Sequence, residues 1–247
     1  MSVDIAANLT RVRDEINSAC LRVGRDPRSV TLIAVSKTHP ANIVMQAIGA
    51  DATHFGENRV EEAETKIPLV RQATLKPVTW HMIGHLQSRK AKDAVALFDV
   101  IHSVDTLKLG DKLSRHAEEM ERTIEIMMEF NLSGEVNKYG LAARDWQTNA
   151  ENRLALFDIT RQFVRLPNLR LVGLMTMAPI VTDMEEARPI FAGLAQLRDA
   201  IQSEIGTALP ELSMGMTDDY PVAIEEGATL VRIGRAIFGE RATHIEG

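Results

Sequence analysis

Cysteine is almost missing from this chain: Cys20 is the single one among 247 residues. No internal disulfide is possible, which fits a reducing compartment, and Cys20 falls in a helical pattern where it reads as a small packed residue. No stretch concentrates lysine and arginine, and the net charge is −6, so nucleic acid is not an expected partner. No apolar run approaches the ~20 residues of a membrane span. The opening MSVDIAANLTRVRDEI is amphipathic and lacks the apolar core and cleavage site of a signal peptide. A cytoplasmic protein without a membrane partner is therefore expected. Two nucleotide motifs are also missing, a Gly-x-Gly-x-x-Gly after the first strand and a phosphate loop ending in Gly-Lys-Ser/Thr. No linker or low-complexity stretch divides the chain.

What is present is ordinary in bulk and regular in order. Charged residues make up 25% and hydrophobic residues 45%, as in a globular protein. Residues 4–23 read as a helix, with apolar positions at Ile5, Leu9, Val12, Ile16 and Val23, ended by Gly24. Strands are predicted at 30–36, 53–56, 78–83, 100–104, 124–131, 169–177, 211–214 and 229–233, with a helical segment after each of the first seven, the second of them at 58–66, and the longest loop at 132–146 after the fifth strand. Asp105 is a candidate N-cap, and Thr182 with Glu185 has capping-box spacing. Repeated strand–helix units imply a parallel sheet. Eight of them in this length point to a closed (β/α)8 barrel, a TIM barrel of the α/β class, with an additional N-terminal helix. The expected organisation is one domain over 1–247. An open doubly wound sheet is the alternative, weakened by the missing nucleotide motifs.

In such barrels the chemistry sits at the C-terminal ends of the strands. Those ends supply Ser36 and Lys37, Gly56 to Asn58, Gly84 and His85, Ser103 and Asp105, and Asn131. They also supply Met175 and Thr176, Ser213 to Met216, Arg232 and Gly234. Lys37 closes the apolar run LIAVSK, and a desolvated lysine at a barrel mouth can act as a carbonyl-trapping amine. The last two loops, SMGMTDD (213–219) and IGRAIFG (233–239), carry glycines and a helix start near Thr217 and Asp218, features that favour a phosphate. The inventory suits an anionic ligand with a carbonyl. Simpler readings stand beside this one. Arg232 could make a structural ion pair. His81 and His85 lack metal-site context. The Met127–Met128 and Met175–Met177 stretches read as core filler, and VEEAETK (60–66) reads as a solvated helix face.

Seven motifs in order carry a resemblance. LIAVSKTHP (32–40), HFGENRVEEAETK (54–66), WHMIGHLQSRK (80–90), IHSVD (101–105), GLMTMAP (173–179), LSMGMTDD (212–219) and VRIGRAIFGER (231–241) together resemble the pyridoxal phosphate homeostasis protein family. That family is the single-domain relative of the N-terminal barrel of alanine racemase. The resemblance implies pyridoxal 5′-phosphate as cofactor, held as an aldimine on Lys37. It implies that Ser213, Gly215 and Met216, with Arg232 through Gly234, hold the phosphate and ring, and that Arg232 faces the pyridine nitrogen. Asn58, His81 and Met175 lie in motifs near the cofactor. His85 and Arg89 stand where the family carries proline and asparagine, and Asn137 and Tyr139 stand where it carries serines.

A carboxylate usually partners the ring nitrogen in carbanion chemistry; an arginine there makes the ring a poorer electron sink. The tyrosine base of the racemases comes from a separate domain that is not expected here, and the tyrosines present are Tyr139 and Tyr220. The resemblance therefore implies a carrier in vitamin B6 homeostasis without substantial catalysis, passing cofactor to apo-enzymes and expected as a monomer. The alternatives are a single-domain amino acid racemase or other pyridoxal enzyme, and a Schiff-base aldolase using Lys37.

Overall fold

The computed structural model describes residues 3–240; Met1, Ser2 and residues 241–247, including Arg241 of the last motif, lie outside the described residues. Helix α1 (Ile5–Arg22) begins where the Asp4 carboxylate accepts the Ala7 N–H at 3.0 Å. Its buried stripe is Ile5, Leu9, Val12, Ile16, Ala19 and Cys20, the spacing of one helix face. Strands and helices then alternate: β1 (Thr31–Val35), α2 (Ala41–Gly49), β2 (His54–Glu57), α3 (Val60–Ala73), β3 (Thr79–Met82), α4 (Ala91–Leu97), β4 (Val100–Val104) and α5 (Leu107–Glu119). The second half holds β5 (Ile124–Asn131), β6 (Leu141–Ala142), α6 (Ala150–Val164), β7 (Leu169–Met175), α7 (Arg188–Ile205), β8 (Glu211–Ser213), α8 (Tyr220–Glu225), β9 (Leu230–Ile233) and α9 (Arg235–Phe238).

Eight strands close on themselves. All pairings are parallel, in the order β4-β3-β2-β1-β9-β8-β7-β5, and β4 pairs back onto β5. That closure removes the open-sheet alternative and makes the fold a TIM barrel. β6 is a two-residue parallel addition beside the end of β5, inside the loop expected at 132–146. Alternate residues of a strand face opposite sides. One side carries the large outer core against the helices, with Phe55, Trp80 and Ile101. The other side forms a smaller inner cluster of Ile33, Val100, Met127, Val172, Met175 and Leu230.

Three local expectations differ. The N-cap of α5 is Thr106, whose hydroxyl accepts the Leu109 N–H, and not Asp105. A one-turn helix at Met184–Ala187 precedes α7 and is capped by Asp183, so Thr182 and Glu185 form no capping box. The helix expected at 58–66 starts at Val60 and runs to Ala73 through Pro68.

The VEEAETK stretch is also not a solvated face throughout. Lys66 is 4% exposed and shares the inner stripe of α3 with Val60, Ala63, Ile67 and Val70. Its Nζ donates to the Ser36 carbonyl (2.8 Å), Glu57 Oε1 (2.8 Å) and Glu62 Oε1 (2.7 Å). Glu57 is fully buried and also accepts the Ser36 hydroxyl at 2.6 Å. Burial pushes the Glu57 carboxyl up, against the pull of Lys66 and Ser36 downward. Removing one partner of such a pair leaves a buried group uncompensated. Lys66→Met is therefore expected to cost roughly 3–5 kcal/mol in chemical denaturation. A loss under about 1 kcal/mol would show that the cluster carries no such weight.

Candidate functional site

The C-terminal mouth of the barrel gathers the polar strand ends. Ile33 faces inward from β1, and Val35 and Lys37 continue that alternation, which brings Lys37 to the rim of the interior. The backbone turns sharply there. Thr38 has φ +67°, a left-handed conformation that a β-branched residue rarely adopts. The turn is held by the Thr38 N–H donating to Glu62 Oε1 at 2.5 Å and the His39 N–H donating to the Ser36 carbonyl at 3.1 Å. Lys66 grips Ser36 and Glu62 together, so the α3 cluster fixes the segment that carries Lys37. Strain of this kind persists only where the surroundings over-determine it.

On the neighbouring strand β9, Arg232 is 4% exposed. One guanidinium nitrogen donates to Ser213 Oγ at 2.5 Å and the other to the Thr176 carbonyl at 2.9 Å. Among the described residues no carboxylate forms an ion pair with it, although Asp219 and Glu129 lie near enough to favour its charge against burial. The expectation of a structural ion pair is not met; Arg232 is a cation held by neutral oxygens. Register places Glu129, Met175 and Ser213 side by side on β5, β7 and β8. Met175 belongs to the inner apolar cluster and floors the mouth. Met127 and Met128 are fully buried, as core filler should be.

Gly215 meets the backbone demand of the seventh loop. Its φ is +92°, and a Cβ there would stand 2.6 Å from the Ala223 Cβ. The following Met216 N–H donates to Asp219 Oδ1 at 2.6 Å, which shapes the turn before α8. That helix starts at Tyr220, two residues beyond the expected position, and has six residues. Gly234 caps the four-residue α9 beside Val35. On the opposite wall, Asn58 Oδ1 is buried without a hydrogen-bond partner. Its backbone packs on Gly84, where a Cβ would come within 2.3 Å of the Asn58 carbonyl.

Lys37, Asn58, Met175, Ser213, Gly215, Met216, Arg232 and Gly234 thus come from strand ends that converge on one mouth. His81 lies deeper. It is 2% exposed, and its two ring nitrogens meet His54 at 2.9 Å and His102 at 2.8 Å. It reaches the mouth only through its neighbours. His85 and Tyr139, two departures from the family pattern, meet each other: their rings stack at 3.6 Å and 11°, joining the loops after β3 and β5. Sequence reasoning missed Glu129. It is 2% exposed, Oε2 has no partner, and burial with the nearby Asp105 raises its pKa to about 7. Its trace in the sequence is an acid two residues after Met127, on the inward side of an otherwise apolar strand.

A family model described as alanine racemase, N-terminal domain, matches residues 7–242. The chain is 39% identical over 233 residues to the pyridoxal phosphate homeostasis protein of Aquifex aeolicus, covering 94% of this chain and 96% of that one. It is 40% identical over 239 residues to the Pseudomonas aeruginosa protein of the same name, with 96% of each covered. Among solved structures, it is similar to PipY of Synechococcus elongatus with pyridoxal phosphate bound. The TM-score is 0.80 and the identity 35%, over 96% of this chain and all of that one. Alanine racemase of Clostridium difficile shares the fold, with TM-score 0.71 at 12% identity, and 58% of its length is covered.

Glu129 generates a pH prediction. Its carboxyl has an ordinary value of 4.5 and a folded value of about 7, so between those pH values the folded chain holds a proton that the unfolded chain has lost. Its contribution to stability is complete below about pH 4.5 and falls as pH rises toward about 7. Glu129→Gln should therefore exceed wild type in stability at pH 8 by on the order of 2–3 kcal/mol and match it near pH 4. Denaturant melts at the two pH values check this, and equal differences at both would refute it.

Proposed function

The chain belongs to the pyridoxal phosphate homeostasis protein family, and from its barrel mouth we propose that it holds pyridoxal 5′-phosphate on Lys37 as an intracellular reserve. It acts as one cofactor-binding domain, a cytoplasmic monomer that passes the cofactor to apo-enzymes without substantial turnover of its own. The observation that carries this reading is the pairing of Lys37 and Arg232 on adjacent inward-facing strand ends. Ile33 and Arg232 are register partners, and Lys37 lies farther along the same inward side of β1.

The residues fit the cofactor. Its aldehyde, when bound, supplies a carbonyl that a neutral lysine amine traps. The strained turn at Thr38 holds the Lys37 backbone in place. The Gly215 turn, which has no room for a side chain, and the Gly234 loop bring main chain to the phosphate end. Asn58 offers a buried Oδ1 that no other group satisfies. Met175 supplies an apolar floor. Arg232 would face the ring nitrogen, and a guanidinium only donates hydrogen bonds, so it opposes protonation of a nitrogen it faces. That weakens the electron withdrawal on which racemisation depends. Of the two tyrosines, Tyr220 is committed to the outer layer, where its hydroxyl donates to Glu15 at 2.6 Å. The ring of Tyr139 lies against His85 at the rim. These placements support storage over racemase or other catalytic roles.

The visible spectrum of purified protein tests the reading. Wild type should show an absorption band in the near-visible that Lys37→Ala lacks. Borohydride reduction should leave a pyridoxyl mass on the peptide containing Lys37. The variant should stay folded to within about 0.5 kcal/mol, because a rim residue contributes little to the core. A colourless wild type that takes up no added pyridoxal phosphate would refute the assignment. Arg232→Ala should shift the band and weaken retention of the cofactor on dialysis; unchanged behaviour would remove Arg232 from the ring-nitrogen position.

A further inference from the structure

The interior of this barrel is not wholly apolar. A continuous file of polar side chains crosses it from the N-terminal face to Arg232. His54 Nδ1 meets His81 Nε2 at 2.9 Å, His81 Nδ1 meets His102 Nε2 at 2.8 Å, and His102 Nδ1 meets Ser213 Oγ at 2.8 Å. Ser213 in turn accepts from Arg232. His102 and Ser213 are fully buried and His81 nearly so. His54 is half-buried and lines a cavity of about 600 Å³ that opens at the N-terminal face, opposite the mouth. We propose that His54, His81, His102 and Ser213 form a hydrogen-bond relay that couples proton binding at this cavity to hydrogen bonding at the cofactor mouth.

The argument follows from the valence of imidazole. A neutral ring has one N–H and one lone pair. Where each ring uses one nitrogen on either neighbour, the tautomer of one ring fixes the rest. Two orders satisfy the file. In the descending order the Ser213 hydroxyl donates to His102 Nδ1, every ring carries its proton on Nε2, and His54 presents an N–H to the cavity. In the ascending order every ring carries its proton on Nδ1, and Ser213 Oγ accepts from both Arg232 and His102. The Ser213 hydroxyl proton is then released toward the mouth, and His54 Nε2 presents a lone pair to the cavity. A proton from the cavity can bind the ascending order alone.

Two consequences follow. His54 protonation and a mouth-directed Ser213 hydroxyl belong to one state, so a ligand accepting from Ser213 strengthens the hold of His54 on its proton, and the reverse. The file also conducts. From the protonated ascending order, shifting each proton one bond upward restores the descending order with neutral His54. One proton enters at His54 Nε2 and a different one leaves Ser213 Oγ for an acceptor at the mouth. Burial holds His81 near pKa 3 and His102 well below its ordinary value, so neither middle ring stores charge and the interior transmits tautomer order. The charged groups around His54 are mixed. Asp99 and Glu211 favour its protonation against burial, and Arg122, Glu125 and Arg170 also line the cavity. The identity of the ligand at the mouth rests on the cofactor reading above; the relay itself does not.

Ring-¹⁵N-labelled histidine tests the relay by long-range ¹⁵N–¹H correlation from pH 5 to 9, with and without pyridoxal phosphate. In cofactor-free protein, His81 and His102 should switch from the Nε2–H to the Nδ1–H tautomer at the pH where His54 gains its proton. Bound pyridoxal phosphate should move that midpoint upward by roughly one pH unit, and His102→Phe should abolish the movement. His54→Gln, which leaves both buried rings in place, should hold them in one tautomer across the range and serves if His102→Phe does not fold. The proposal is overturned if His81 and His102 keep one tautomer while His54 titrates. It is also overturned if the visible band shows bound cofactor and the midpoint does not move. A missing band tells against the cofactor reading, and the cofactor-free titration still decides the relay.

Discussion

The buried ammonium of Lys66 is the constraint on which the mouth depends. It sits between the barrel and α3 and binds a strand-end carbonyl, a buried carboxylate and a half-buried one with its three protons. An ammonium has three donors, and all three are used here. Glu62, aligned by this contact, catches the Thr38 N–H, and the left-handed turn at Thr38 sets the place of Lys37. A cation buried outside the barrel thus positions the amine inside it. Such an arrangement contributes little net stability compared with an apolar replacement of both partners, but it specifies one geometry closely.

The interior shows a second economy of charge. Arg232 is buried on neutral oxygens, and the buried carboxyl of Glu129, in the register row of Met175 and Ser213, holds its proton up to about pH 7. At the mouth a permanent cation therefore stands beside a group that changes charge near neutrality. Asp219 favours the charge of Arg232 from nearby while its Oδ1 accepts the Met216 N–H. One side chain thus shapes the loop after β8 and offsets part of the cost of burying the arginine.

Much of this was legible beforehand. The eight strands, the barrel, the rim position of Lys37, the inward Arg232 and the tight turn at Gly215 all follow from apolar runs ending in polar or glycine residues. What escaped has physical reasons. Lys66 occurs among Glu61, Glu62 and Glu64, which suggested a solvated face, yet its spacing from Val60, Ala63 and Val70 places it on the buried stripe. Asp105 and Thr106 are adjacent capping candidates, and only backbone geometry selects the threonine. The histidine file was hidden because alternation shows that His54, His81 and His102 face inward, while the stagger between strands decides which rings meet. The contact of His85 with Tyr139 joins two loops 54 residues apart, and no local pattern encodes it.

Helix α1 is made long before α8 and α9, on which it packs. The Asn8 side chain donates to the Ile237 carbonyl, 229 residues away, and the Tyr220 hydroxyl reaches Glu15 across 205. During synthesis the apolar stripe of α1 lacks part of its native cover until α8 and α9 leave the ribosome. A nascent chain keeps part of that stripe open while the intervening strands and helices are made, and its docking on α8 and α9 closes a very long loop. A late, long-range docking step is therefore built into the order of its elements.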